Sequence, residues 1–346
     1  MEAMQKQYAA IKEALCALGF TLDAEQLHIG GERALMSAHK LVLTGRDTKD
    51  SSRVVIKASL DALGAKDIAD EHNIREVLQR VHFASADLSF PPERYFSTSD
   101  DMTLSVTDFI EQERVFVDYP LRDQFFMMLK LFEAQEKYHA TTHEHTKSLQ
   151  GAIPVWTVTE YLTDVKNIGD VVDTLETKKL AGIFIENKEL IARFSGFLVH
   201  TDLVPHNFRV RNGSLYALDQ VAIRFGNKYE GLARLVNYML IHNPALTEKI
   251  IEYVRKYRGE DDAKILHIMR CYKAAVLARY YKTSLETAEG NLKELTQIRL
   301  NFWLSVLEHL LNNTEIPTDL VTAYKEKRDA LRTDDEKARQ REFAQA

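Results

Sequence analysis

A chain of 346 residues with 45% hydrophobic and 28% charged content is long enough for two lobes with a real core and has the make-up of an ordinary soluble protein. A net charge of -6 without a concentrated basic stripe argues against a dedicated nucleic-acid binder, and the two cysteines, Cys16 and Cys271, supply neither a disulfide framework nor a zinc cluster. No apolar run approaches the ~18 residues of a membrane span and the first helical pattern is not a signal peptide, so a cytoplasmic protein without membrane attachment is expected, its oligomeric state left open.

In chain order, Met4, Tyr8, Ile11, Leu15 and Leu18 recur at helical spacing, an amphipathic helix over residues 4 to 18. Gly30 and Gly31 follow, where an ordinary turn and a loop covering phosphate groups fit equally well. The segment from His39 to Leu43 alternates, Gly45 to Ser52 reads as a polar turn, and Arg53 to Ser59, RVVIKAS, reads as a strand carrying Lys57. A lysine there is more often a strand-end charge with a snorkelling stem. Position favours more, because a helix predicted from Asp67 to Val81 offers Glu71 as a partner. Glu76 competes, but Glu71 shares a face with Ile74 and Leu78 at i, i+3 and i+7. Strands are expected near Arg94 to Phe96 and at Thr103 to Ile110, TLSVTDFI, ahead of the charged stretch Glu111 to Arg114. Leu121 to His139 reads as a helix with a core stripe of Phe125, Met128, Leu129, Phe132 and Ala134.

Residues 197 to 220, FLVHTDLVPHNFRVRNGSLYALDQ, carry the densest chemistry. An apolar run from Phe197 to Val199 delivers His200 and Asp202, Asn207 follows five residues after Asp202, and Asp219 closes a second apolar run, Leu215 to Leu218. Asn212-Gly213 is a strong hairpin signal between them. Two short strands joined by that turn bring Asp219 back toward Asp202 and Asn207. Asn207 and Asp219 then supply the hard oxygen ligands that Mg2+ prefers, with phosphate and water completing its shell, and Asp202 is left to accept the proton of an attacking hydroxyl. Four histidines lie between residues 139 and 206 (His139, His143, His145 and His200), but no H-E-x-x-H occurs and Mg2+ prefers oxygen.

HTDLVPHN resembles the HGDLHxxN loop of the aminoglycoside phosphotransferase and choline kinase branch of the protein-kinase-like superfamily. It keeps the His, Asp and Asn positions, with Thr201, Val204 and His206 as departures. RVVIKAS resembles the strand bearing the ATP-anchoring lysine, and EKYHATTH the helix end below the catalytic loop. The resemblance implies an α+β, two-lobed protein-kinase-like fold with a small antiparallel-sheet N-lobe and a larger, mainly helical C-lobe. It implies ATP, possibly GTP, and Mg2+ as cofactors. Asp202 and His200 take the catalytic places, His200 as a brace of the loop. Lys57 and Glu71, Gly30 and Gly31, and the hinge around Asp108 and Ile110 take the nucleotide places, and Asn207 and Asp219 hold the metal.

Residues 1-110 are expected to form the nucleotide-binding lobe, 111-327 the catalytic and substrate-binding lobe, and 328-346 a charged tail. Helices are expected around Leu246 to Tyr257, Ala263 to Tyr281 and Leu285 to Leu311, and the chain beyond about Tyr324 as a solvated helix or frayed end. Glu230, in YEGLA, either steadies the catalytic loop or is a plain helix N-terminal carboxylate. The expected activity is transfer of the γ-phosphoryl group to a hydroxyl of an aminoglycoside, amino alcohol or sugar-like small molecule. The alternative is a catalytically inactive kinase fold that binds a nucleotide or a partner; the polar set Lys57, Asp202, Asn207 and Asp219 favours the enzyme. A protein kinase fits less well, since Gln220 and Val221 follow Asp219 and no A-P-E occurs. Asp170, Asp173, Glu176, Glu260, Asp261 and Asp262 could attract a cationic acceptor, although solvated faces are the plainer reading.

Overall fold

A computed structural model describes residues 2–24, 26, 39–80, 88–112, 114–212 and 214–332. Gly30, Gly31, Gly213, the side chains of His143 and His145, and the segment beyond 332 lie outside the described residues. The N-terminal sheet has the order β1-β2-β3-β6-β5 and is antiparallel throughout. Its strands are β1 (Phe20–Leu22), β2 (Leu41–Asp47), β3 (Arg53–Ser59), β5 (Glu93–Thr98) and β6 (Thr103–Asp108). Period-2 alternation turns Leu41 and Leu43 of β2 and Val54, Ile56 and Ala58 of β3 to one face. Ile11 and Leu15 of α1 (Glu2–Ala17) cover that face. The expected turn at Gly45 to Ser52 is shorter than the sequence suggests, because Gly45 and Arg46 are paired on both sides, to β3 and to the three-residue strand β1.

Helix α2 (Ala62–Gln79) starts before the expected Asp67 because Asp61 caps it, its side chain accepting from the backbone N–H groups of Leu63 and Gly64. Its inner face buries Ile68, Ile74 and Leu78, together with Glu71 and Arg75. The next helix, α3 (Leu121–Gln150), runs well past His139. It is followed by α4 (Val158–Val172), α5 (Leu175–Glu186) and α6 (Lys188–Arg193).

Two small sheets carry the segment richest in polar residues. Strands β8 (Phe208–Arg211) and β9 (Ser214–Ala217) form the hairpin expected across Asn212, whose φ of 52° is left-handed. The two-residue strand β4 (Leu88–Ser89) adds to β9 in parallel. The earlier run β7 (Phe197–His200) is not part of that hairpin; it pairs antiparallel with β10 (Ile223–Gly226), a strand the sequence pattern does not announce. Burial explains β10: Ile223 and Phe225 pack with Leu198 against Leu149 and Ile153.

The remaining helices are α7 (Glu230–His242), α8 (Pro244–Tyr253), continued by a π turn through Arg258, α9 (Glu260–Ser284), α10 (Gly290–Leu311) and α11 (Thr318–Leu331). They share one large core with α3 to α6. Helix α11 is docked rather than frayed, with Tyr324 stacked on Phe302 at 4.0 Å and Arg328 buried. Among the described residues no helix is long and apolar enough to cross a membrane.

Candidate active site

The sheet and α2 bring Lys57 and Glu71 together. Lys57 Nζ lies 2.6 Å from Glu71 Oε2 and 3.3 Å from Asp219 Oδ1. Burial alone lowers the lysine pKa, but the charges of Glu71 and Asp219 outweigh it and raise the value, so the ammonium is secure. Glu76, the competing partner, pairs instead with Arg80 on an exposed face. Arg75, one helical turn beyond Glu71, is fully buried and links three elements. It donates to Glu71 Oε1 (3.3 Å), to Glu93 Oε1 of β5 (2.5 Å) and to Gln220 Oε1 (2.9 Å). Gln220 thus ties α2 to the residue next to Asp219, a contact the sequence reading missed.

Asp219 sits in the left-handed region, φ 60° and ψ 63°, at the end of the hairpin. Its burial favours the neutral acid, yet Lys57 first, then Lys40 and His200, hold its pKa below the ordinary carboxyl value. The strand end β7 is stitched to it, His200 Nε2 donating to the Leu218 carbonyl at 2.7 Å and Leu218 N–H to the Asn207 carbonyl at 2.8 Å. Thr201, the departure from glycine, is accommodated because its hydroxyl and N–H both donate to the Ala222 carbonyl, at 3.0 and 2.9 Å.

Asn207 Nδ2 donates to Asp202 through both the backbone carbonyl (2.9 Å) and Oδ2 (2.8 Å), and among the described residues no donor engages Asn207 Oδ1. Asp202 Oδ1 accepts from Arg234 Nε of α7 at 2.7 Å, and this cation was not foreseen. The Asp202 side chain keeps 44% of its surface exposed. Desolvation raises its pKa, but Arg234, followed by Lys273, brings it down to about 2. Farther along α7, Tyr238 meets the His206 ring at 5.1 Å and stacks on His242 at 4.3 Å. Desolvation, then the charges of Arg328, Lys325 and Arg332, brings the His242 pKa down to about 4.

Helix α7 supports this loop from beneath. A methyl group added at Gly231 would lie 2.3 Å from the His200 carbonyl oxygen, so only glycine lets the two backbones approach this closely. Gly231→Ala is expected to cost about 1–3 kcal/mol of stability, the usual range for overpacking. Thermal denaturation measures it; an unchanged Tm would mean that α7 slides freely from the loop. Glu230 does not touch the loop. It is fully buried, accepting from Tyr161 Oη (2.6 Å), Arg224 Nη2 (2.5 Å) and Lys273 Nζ (3.1 Å).

The remaining predicted positions are dispersed. Asp108 spends its N–H on the Pro92 carbonyl and its carboxylate on Arg94, while Ile110 is buried just past β6. His139 stacks on Phe197 at 3.8 Å. Among the described residues no group of three or more His, Cys, Asp or Glu could hold a metal. Asp219 and the Oδ1 of Asn207 offer two hard oxygens on adjoining segments, a donor set that fits Mg2+, which draws the rest of its shell from phosphate and water.

By sequence the chain matches no protein-family model and no curated protein. Its fold is that of the aminoglycoside phosphotransferases. Wild-type aminoglycoside 2'-phosphotransferase-IIIa, solved as its GDP complex, aligns with a TM-score of 0.59 at 13% identity, over 88% of this chain and 98% of that one. Amicoumacin kinase in complex with AMP-PNP, Ca2+ and Ami gives 0.60 at 13% identity, over 92% and 96%. A thermostable mutant of aminoglycoside phosphotransferase APH(4)-Ia, solved with ADP and hygromycin B, gives 0.55 at 14% identity, over 89% and 100%. The shared architecture is the two-lobed, kinase-like one, with a small antiparallel sheet ahead of a mainly helical lobe.

Proposed function

We propose that this protein is a small-molecule kinase, transferring the γ-phosphoryl group of ATP or GTP to a hydroxyl of an amino alcohol, aminoglycoside or sugar-like acceptor in the cytoplasm. The observation that carries the reading is the contact chain from Glu71 through Lys57 to Asp219, beside the Asn207–Asp202 pair, which Leu218 N–H ties to the same hairpin end. Residues 1-110 would hold the nucleotide and 111-327 the catalytic loop and acceptor. Lys57 holds the α- and β-phosphates with Glu71 behind it, and backbone near Ile110 holds the base. Asn207 and Asp219 hold Mg2+, which when bound neutralises charge on the phosphates. Asp202 orients the acceptor. The acceptor oxygen forms a bond to Pγ, the bond from Pγ to the bridging oxygen breaks with its electron pair leaving on the nucleoside diphosphate, and the hydroxyl proton passes to Asp202 and then to water. A carboxylate with a pKa of about 2 is a weak base, so this proton moves late and the main work is positioning.

The test is Mg2+-dependent nucleotide turnover by purified protein across aminoglycosides, choline, amino alcohols and sugars, with Asp202→Ala as control. Acceptor-stimulated turnover lost in the control supports the kinase; absence of nucleotide binding overturns it. Glu71→Gln is expected to lower kcat/KM for the nucleotide by about 10- to 100-fold, because Lys57 loses its charged brace and turns to Asp219 alone. Unchanged steady-state kinetics in that variant would remove Lys57 from the nucleotide site.

A further inference from the structure

The first charged group that meets Asp202 is a cation, and its remaining hydrogen-bonding capacity is unspent. Arg234 uses Nε on Asp202 Oδ1. Among the described residues nothing accepts from its two terminal NH2 groups, although the side chain is only 15% exposed. A guanidinium held by one edge with its fork unspent is a carboxylate- or phosphate-binding device. The pair also fixes its place: Nε is held 2.7 Å from Asp202 Oδ1, and the fork begins one carbon beyond that nitrogen.

The surrounding charges agree. Tyr238 and His242 follow Arg234 at i+4 and i+8 on the same face of α7, and the α11 cations Lys325, Arg328 and Arg332 act on His242, Arg328 being paired with Asp329. Lys273, anchored on Glu230, adds positive charge behind Asp202. Three of the six acidic residues that could have drawn a polycation are engaged elsewhere. Asp173 pairs with Lys178, Asp261 with Arg193, and Asp262 with Tyr229 and Lys228.

We infer that the acceptor is a hydroxyl compound bearing a phosphate or carboxylate group close to the reacting hydroxyl, and that Arg234 is the residue that selects it. This rests on the kinase reading above. Arg234 grips the anionic group while Asp202 orients the neighbouring hydroxyl, so that the anion is a handle and takes no part in bond making. A cationic acceptor meets like charge at the same point and is disfavoured.

The experiment uses full-length protein saturated with Mg2+ and AMP-PNP, titrated calorimetrically with glycerol 3-phosphate, glycerate, ribose 5-phosphate, inorganic sulfate, choline and an aminoglycoside, with turnover measured in parallel with ATP. Anionic probes are expected to bind and compete with one another. Their affinity should fall about 10- to 100-fold in Arg234→Gln, the loss expected for a charge-assisted pair, and recover in part in Arg234→Lys. Nucleotide affinity, measured separately, should stay within about twofold in both variants, since the pair lies on the acceptor side. Phosphate and carboxylate probes are told apart by which one supports turnover. The inference is overturned if no anionic probe binds, if sulfate displaces AMP-PNP rather than joining it, if the cationic probes bind or turn over best, or if Arg234→Gln leaves anion affinity unchanged. Turnover of a cation would leave the kinase standing and remove only the anionic acceptor; failure to bind AMP-PNP at all would remove both.

Discussion

Asp219→Ala is expected to abolish phosphoryl transfer, by at least about 10³-fold in kcat, without unfolding the chain. The residue has two separable roles in the geometry. Its carboxylate is one of two hard oxygens available to Mg2+, and it is the second partner of Lys57, at 3.3 Å. Truncation removes the metal oxygen outright. It does not orphan Lys57, because Glu71 remains at 2.6 Å, while alanine at φ 60° is less favourable than aspartate by about 1 kcal/mol. Circular dichroism should therefore match wild type, with Tm lowered by only about 1–3 °C, while turnover vanishes. A folded, fully active variant would sink the metal assignment.

Glu230→Ala is expected to show the opposite pattern, with loss of stability. Glu230 has no solvent exposure and accepts from Tyr161, Arg224 and Lys273, while Arg224 also lies 3.4 Å over the Trp156 ring. Deleting the carboxylate leaves two buried cations without their counter-charge, a loss of about 3–5 kcal/mol, which for a chain of this size lowers Tm by roughly 4–7 °C. Burial raises the Glu230 pKa, but Lys273 and Arg224 reverse this and hold it below the ordinary value of 4.5. A carboxyl group with a depressed folded-state pKa stabilises fully above its unfolded value. That contribution is lost as pH falls through the folded value, so stability should drop below about pH 4.5 in wild type and less steeply in Glu230→Gln. Urea denaturation at several pH values measures the slope, and identical slopes would mean that the carboxylate is not charged in the fold.

The two expectations drew on different kinds of legibility. His200, Asp202, Asn207 and Asp219 were read from one short segment, although the hairpin within it is β8–β9 alone and the strand that delivers His200 pairs with β10. Lys57 and Glu71 were readable from order alone, a strand and then a helix whose apolar face fixes which glutamate looks inward. Strand β10 was not, since Ile223 and Phe225 become a strand only by pairing with β7. Arg234 was not, because its partner lies 32 residues upstream and the apolar stripe of α7 says nothing about a polar residue between its members. Arg75 and Gln220, 145 residues apart, are joined by packing of α2 against the turn after Asp219, a tertiary fact with no local signature. Glu230 does open α7, as the helix-end alternative has it, but its three partners on α4, β10 and α9 have no local signature.

Helix α7 turns one stripe with two unlike parts toward the site. At Gly231 it meets the His200 carbonyl backbone to backbone, a separation that no side-chain rotamer can alter. At Arg234, Tyr238 and His242 it offers only side chains, each replaceable without shifting that contact. On the kinase reading proposed above, acceptor preference would change by single substitutions at the side-chain positions of this stripe while the height of the Asp202 carboxylate stays set by its glycine.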